Sequence, residues 1–128
     1  MSLALVKEVR SEWLRCKPWI EAAVVHCRGT HTIEDIEDGI EAGTYQFFSM
    51  PNCAVICRII EYPRKKCLNY FLVGGDLDEL KDKMEPHLTA WAKSKGCSMV
   101  TLVGRDGWIR TLSKHGFVRG WSAAYKEI

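Results

Sequence analysis

The chain has 128 residues, which suits a single domain spanning 1–128. At 47% hydrophobic and 27% charged residues it can bury a core, which excludes a disordered or fibrous class. A net charge of +2 gives no support to a nucleic-acid partner, and no run of about 18 apolar residues argues for a membrane span.

Residues 3 to 7 read as a short first strand. From about Glu8, the positions Val9, Trp13, Ile20, Ala23 and Val24 recur at roughly helical spacing as far as His26. Pro18 lies inside that stretch and predicts a kink or restart, because it has no N–H and its ring meets the preceding turn. Gly29 ends the segment. Thr32-Ile33-Glu34-Asp35 resembles a capping box. It opens a short helix carrying Ile33, Ile36 and Ile40, with Gly43 as its stop. Residues 45–49, 53–62 and 67–73 then read as three strands joined by the turns Met50-Pro51-Asn52 and 63–66, an antiparallel meander.

Asp76, with Glu79 three residues on, marks the next helix start. Leu77, Leu80, Met84, Leu88 and Trp91 form its stripe, and Gly96 ends it. Pro86 within it predicts a bend. Residues 99–103 read as a buried strand, 107–115 as a short helix and 117–128 as a last strand. The order is (β)ααβββαβαβ, an α/β domain with a central mixed sheet between helical layers.

The six cysteines, Cys16, Cys27, Cys53, Cys57, Cys67 and Cys97, include no Cys-x2-Cys pair and no Cys/His pair at zinc spacing. The expectation is reduced thiols serving as core filler in a cytoplasmic protein, and no metal. Nor does the N-terminus show a basic region followed by a long apolar stretch, so no secretory signal is expected.

Residues 98–117 carry the sequence's most specific pattern. An apolar strand leads into Gly104-Arg105-Asp106-Gly107-Trp108, and a short helix leads into Gly116-Phe117. With the element order, this resembles the GNAT-type N-acyltransferases, and more narrowly small GNAT-like proteins often encoded by phages and prophages. The resemblance implies a GNAT-like three-layer fold in which acetyl-CoA wedges between two splayed parallel strands, here residues 67–73 and 99–103. It further implies that backbone groups of Leu72, Val73, Gly74 and Gly75 hold the cofactor, with the pyrophosphate at Gly74-Gly75-Asp76-Leu77.

The chain departs from the family pattern in two places. The phosphate loop lacks the usual basic residue, and Asp76, Asp78 and Glu79 crowd the first helical turn. Carboxylates there stabilise the helix and repel a dianion by the same field. The tyrosine that normally serves as general acid is replaced by Leu112. Glu61, at a strand end, is the candidate base. Arg105 is the candidate for anion contact and catalytic assistance, or equally a clamp for its own turn. Trp108 reads as a packing anchor. Arg64-Lys65-Lys66 with Arg58 forms a basic turn, either a solvated hairpin tip or an attractor for an anion such as the CoA 3'-phosphate.

Two functional readings follow. One is an acetyl-CoA-dependent N-acyltransferase acting on an amine. The other is a non-catalytic phage or prophage accessory protein that keeps the fold, in the host cytoplasm or associated with a virion. The sequence names neither the acceptor amine nor a phage or host protein partner.

Overall fold

The computed structural model describes residues 7–103 and 106–128. Helix α1 (Lys7–Val24) is followed by a 3-10 turn (Val25–Cys27), helix α2 (Ile33–Ala42) and strands β1 (Gln46–Met50), β2 (Cys53–Glu61) and β3 (Lys66–Gly75). Next come α3 (Leu77–Glu79), a π-helical turn (Leu80–Met84) and α4 (Glu85–Ser94), which run on as one helix. Strand β4 (Met99–Leu102) and helix α5 (Asp106–Leu112), with a 3-10 turn (Ser113–His115), complete the elements. The sheet order is β1-β2-β3-β4. The first two pairings are antiparallel and the last is parallel.

Each face of the sheet carries its own core. On one side Trp13, Cys16 and Ile20 of α1 and Ile36 and Ile40 of α2 pack on Ala54, Ile56 and Leu72. On the other, Leu80, Met84, Leu88 and Ala92 pack on Cys53, Val55, Cys57, Leu68 and Tyr70. The meander is buried on both faces, which explains why β2 and β3 read as nearly continuous apolar runs.

The caps expected from the sequence form. Asp35 N–H donates to Thr32 Oγ1 at 3.3 Å, and Thr32 N–H donates to Asp35 Oδ2 at 2.8 Å. Gly43 closes α2 at φ 80°. Two proline expectations resolve differently. Pro18 neither ends nor restarts α1, which runs through it. Pro86 sits at the start of α4, directly after the π-helical turn, where Glu85 N–H reaches back to Leu80 O. Without an N–H of its own, Pro86 could not continue an α-type register across that point.

One predicted element is absent. Residues 117–128 form no strand, and Val118, Trp121 and Tyr125 are largely exposed. Trp121, Ala123 and Tyr125 keep the strand period of two, but the described sheet ends at β4 and none of its strands pairs with this segment. The expected first strand at 3–7 falls outside the described residues, except Lys7, which opens α1.

All six cysteines are free thiols, and only Cys27 is more than marginally accessible. Burial pushes the thiols of Cys16 and Cys27 up, and that of Cys53 to about 12. Alkylation of the folded protein near neutral pH should therefore label Cys27 first and slowly, and unfolding should raise the count to six. Intact mass spectrometry without reductant reads both numbers, and a protected pair in the unfolded chain would contradict the free-thiol assignment. Among the described residues no helix is long and apolar enough to cross a membrane.

Candidate functional site

Strands β3 and β4 pair in parallel from Cys67↔Met99 to Tyr70↔Leu102 and no further. Strand β3 continues to Gly75, and its register on β2 slips at this same point. Ile56 faces Leu72 and Cys57 faces Tyr70, which leaves Phe71 as the extra residue. Such a bulge bends and twists its strand. It turns β3 away from β4 and opens the sheet.

The opening is a cavity of about 610 Å³. Leu72, Val73, Gly74 and Gly75 border it, as do Trp108 and Leu112 from α5. Four of the residues assigned to cofactor binding thus come together at one place. Leu112 is buried there, so the position of the family's tyrosine presents a methyl-bearing wall and no proton.

Gly74 and Gly75 each answer a packing demand. A Cβ on Gly74 would lie 2.8 Å from both Trp19 Cβ and Trp19 O, so α1 already occupies that space. Gly75 has φ 99°, and a Cβ there would collide with Asn52 O. The acidic turn is equally committed. Asp76 caps the helix by accepting from Glu79 N–H at 2.9 Å. Glu79 accepts from Asn52 N–H at 2.7 Å and is held below the usual carboxylate range chiefly by that bond. Asp78 is exposed and lies 3.4 Å from Lys81.

Glu61 is not at the site. It is exposed, and it pairs with Lys66 at the end of β2 remote from Gly74, which faces Ala54. Seven residues of strand separate Glu61 from Ala54, roughly 23 Å. Glu61 does not border the cavity, and four strand residues, roughly 13 Å, separate it from Cys57, which faces Tyr70. Arg105 lies outside the described residues. The basic turn also divides, because Lys66 Nζ donates to Lys95 O at 2.7 Å while Arg58 borders the cavity.

Residues not singled out from the sequence supply the polar groups. On the α4 side Tyr70 is 5% exposed and Glu85 6%, and both border the cavity. Glu85 Oε1 accepts from the Thr89 hydroxyl at 2.6 Å, and Oε2 lies 3.3 Å from His115 Nδ1. The Tyr70 hydroxyl approaches Thr89 and Glu85 yet makes no well-formed hydrogen bond. Burial pushes its acidity far below that of an ordinary phenol, so it stays protonated near neutral pH and keeps its O–H available to donate. A sequence signal did exist: Asn69 and Tyr70 interrupt an otherwise apolar strand, and buried polar groups are costly unless something bonds them.

The divergence of β3 and β4 beside a β-bulge, between two helical layers, decides the fold. It is the fold of the GNAT-type acetyltransferases. The chain superposes on glucosamine-6-phosphate N-acetyltransferase from Arabidopsis thaliana with a TM-score of 0.58 at 18% identity, covering 77% of this chain and 80% of that one. An acetyltransferase of Trypanosoma brucei gives a TM-score of 0.58 at 15% identity over 75% and 78% of the two chains. The BH1408 protein of Bacillus halodurans, as a tetramutant, gives 0.62 at 11% identity over 94% and 95%. At these identities the likeness to GNAT-type proteins is one of fold. No protein-family model and no curated protein matches the chain. Among the described residues, no three His, Cys, Asp or Glu side chains gather to hold a metal ion.

Removing the orphan hydroxyl tests the site directly. Tyr70→Phe should leave stability unchanged or raise it by about 1 kcal/mol, since a buried donor without a partner costs its desolvation. Urea unfolding checks this. A loss above about 1 kcal/mol would mean that the hydroxyl is satisfied in the folded chain.

Proposed function

We propose that this protein binds acetyl-CoA in the opening between β3 and β4 and transfers the acetyl group to an amine. The observation that carries the reading is the end of β3–β4 pairing at Tyr70 and Leu102. It leaves β3 from Leu72 to Gly75 bordering the cavity without a β4 partner. An amide-bearing arm fits there, because a free strand edge offers backbone donors and acceptors. Tyr70 borders the same cavity, but its hydroxyl is fully enclosed, so a ligand atom would reach it only after neighbouring side chains move. Acetyl-CoA, when bound, supplies a reactive thioester. The chain's own part is to exclude water with Trp108 and Leu112 and to fix the orientation of Glu85 through Thr89 and His115. Arg105, between β4 and α5 in the sequence, is retained as a contact for the ligand's anionic groups.

The diphosphate end fits less well. Asp76 and Asp78 stand at the helix start where the family holds phosphate, and Lys81 offsets Asp78 but not Asp76. This favours a second reading, a phage or prophage accessory protein that keeps the fold after losing CoA binding, in the host cytoplasm or on a virion. The free thiols suit a reducing compartment under either reading.

Calorimetric titration with acetyl-CoA separates the two. Weak binding is expected at moderate salt. The double variant Asp76→Asn, Asp78→Asn should tighten it by roughly threefold to thirtyfold, since asparagine keeps the cap while removing a field of about 0.3–1 kcal/mol per carboxylate. No heat with either protein would favour the accessory reading. A micromolar constant for the wild type would sink the electrostatic argument.

A further inference from the structure

Arg58 is a half-buried cation with an unfinished set of partners. Its Nε donates to Asn69 Oδ1 at 2.9 Å, and Asn69 Nδ2 donates in turn to Thr101 Oγ1 at 3.1 Å. One polar chain thus crosses β2, β3 and β4 and sets the rotation of the guanidinium. The flat face of the group lies over Phe71, 4.6 Å from the ring centroid. Phe71 is itself braced by His31 at 4.9 Å and Tyr45 at 5.5 Å. Two constraints therefore hold a side chain that would otherwise sample many rotamers.

Arginine carries five N–H donors, and among the described residues only Nε finds a partner. Among the described residues, Nη1 and Nη2 make no hydrogen bond, and no carboxylate lies within ion-pair distance of the group. Arg58 nevertheless borders the cavity, with His26 and Thr30 beside it on the α1 side. The cavity's carboxylate, Glu85, lies in α4 beyond the other face of the sheet and is engaged by Thr89 and His115. A half-buried, pre-oriented guanidinium with its terminal fork free matches an oxyanion in bidentate geometry.

We infer that the α1-side mouth of the cavity binds an oxyanion, a carboxylate or phosphate carried by a second ligand, through the terminal N–H groups of Arg58. Asn69 and Thr101 are positioning residues. The role of that ligand rests on the proposed function: it is the acceptor, an amine that also bears an acidic group. The binding itself does not rest on it. Asn69 and Gly75 are six residues apart on β3, about 20 Å, so this mouth is distinct from the helix start where donor phosphates would lie.

The test is an NMR titration of the arginine Nε–H resonances with sodium acetate and with inorganic phosphate, against matched sodium chloride. The Arg58 signal is assigned by its loss in Arg58→Gln. A saturable shift of that signal is expected with at least one of the two anions. A preference for phosphate assigns a phosphorylated ligand, and a preference for acetate assigns a carboxylate. Arg58→Lys keeps the charge but loses the fork, and should bind about tenfold more weakly by the shifts of neighbouring amides. Thr101→Val should weaken binding by less, by loosening Asn69. Should Arg58→Gln fail to fold, the lysine and Thr101 variants still decide. The inference falls if neither anion shifts Arg58 beyond the chloride control, or if Arg58→Lys binds as tightly as the wild type. It falls equally if saturating acetyl-CoA abolishes the anion response, which would assign Arg58 to the donor. If acetyl-CoA does not bind at all while the anion response persists, the acyl-donor reading fails and the Arg58 site stands.

Discussion

Gly75→Ala is expected to cost about 3 kcal/mol of stability. At φ 99° a β-carbon enters the left-handed region, which costs roughly 1–2 kcal/mol. The new atom would also collide with Asn52 O and lie 2.6 Å from Cys53 Cα. Both are backbone atoms of the β1–β2 turn and the start of β2, so relief requires main-chain movement, at about 1–3 kcal/mol. The same turn is anchored by Asp76 N–H to Asn52 O at 2.7 Å and by the Glu79 carboxylate on Asn52 N–H. A shift of Asn52 would therefore disturb the start of the helix that follows β3. Gly74→Ala should cost less, about 1–3 kcal/mol, through its contact with Trp19. Urea denaturation of both variants measures the effect. Unchanged stability together with lost acetyl-CoA binding would show that these glycines serve the ligand rather than the turn.

Trp108→Ala is expected to cost a similar amount, about 3 kcal/mol, at the low end for a large aromatic because the ring is only half-buried. Trp108 packs on the same core as Leu88 and Tyr70 and also walls the cavity. Its loss should both destabilise the fold and widen the opening to water. Arg105→Ala, if Arg105 serves as a ligand contact, should change stability by under about 1 kcal/mol. Thermal unfolding of the two variants side by side separates the packing residue from the contact residue. A change of under 1 kcal/mol in Trp108→Ala would mean that the ring belongs to the ligand's surroundings and not to the core.

Local rules read correctly wherever the deciding physics was local. The Thr32 box, the Gly43 stop and the Asp76 cap each involve groups within four residues of one another, and all three form. The meander was legible because short turns bring neighbouring strands together whatever else the chain does. The parallel partnership of residues 67–73 with 99–103 came from resemblance, and the structure contains it. The end of β3, from Leu72 to Gly75, borders the opening.

What local rules could not supply was register and direction. Glu61 looked suitable because it ends a strand. Which end of the sheet it occupies depends on its pairing with Lys66, a fact of the whole meander. The tail at 117–128 has strand-forming residues, but a strand needs a partner as well as propensity, and none of the described strands accepts it. Arg58 and Tyr70 stood in the sequence as one cation and one phenol among apolar neighbours. Only the folded chain shows that, among the described residues, one keeps an open fork and the other an enclosed, unbonded hydroxyl. The sequence alone determined the helices, the meander and their caps, because those depend on short-range hydrogen bonds and apolar period. The tertiary structure alone decided which polar groups remain without partners, because a buried group's satisfaction depends on every chain segment folded around it.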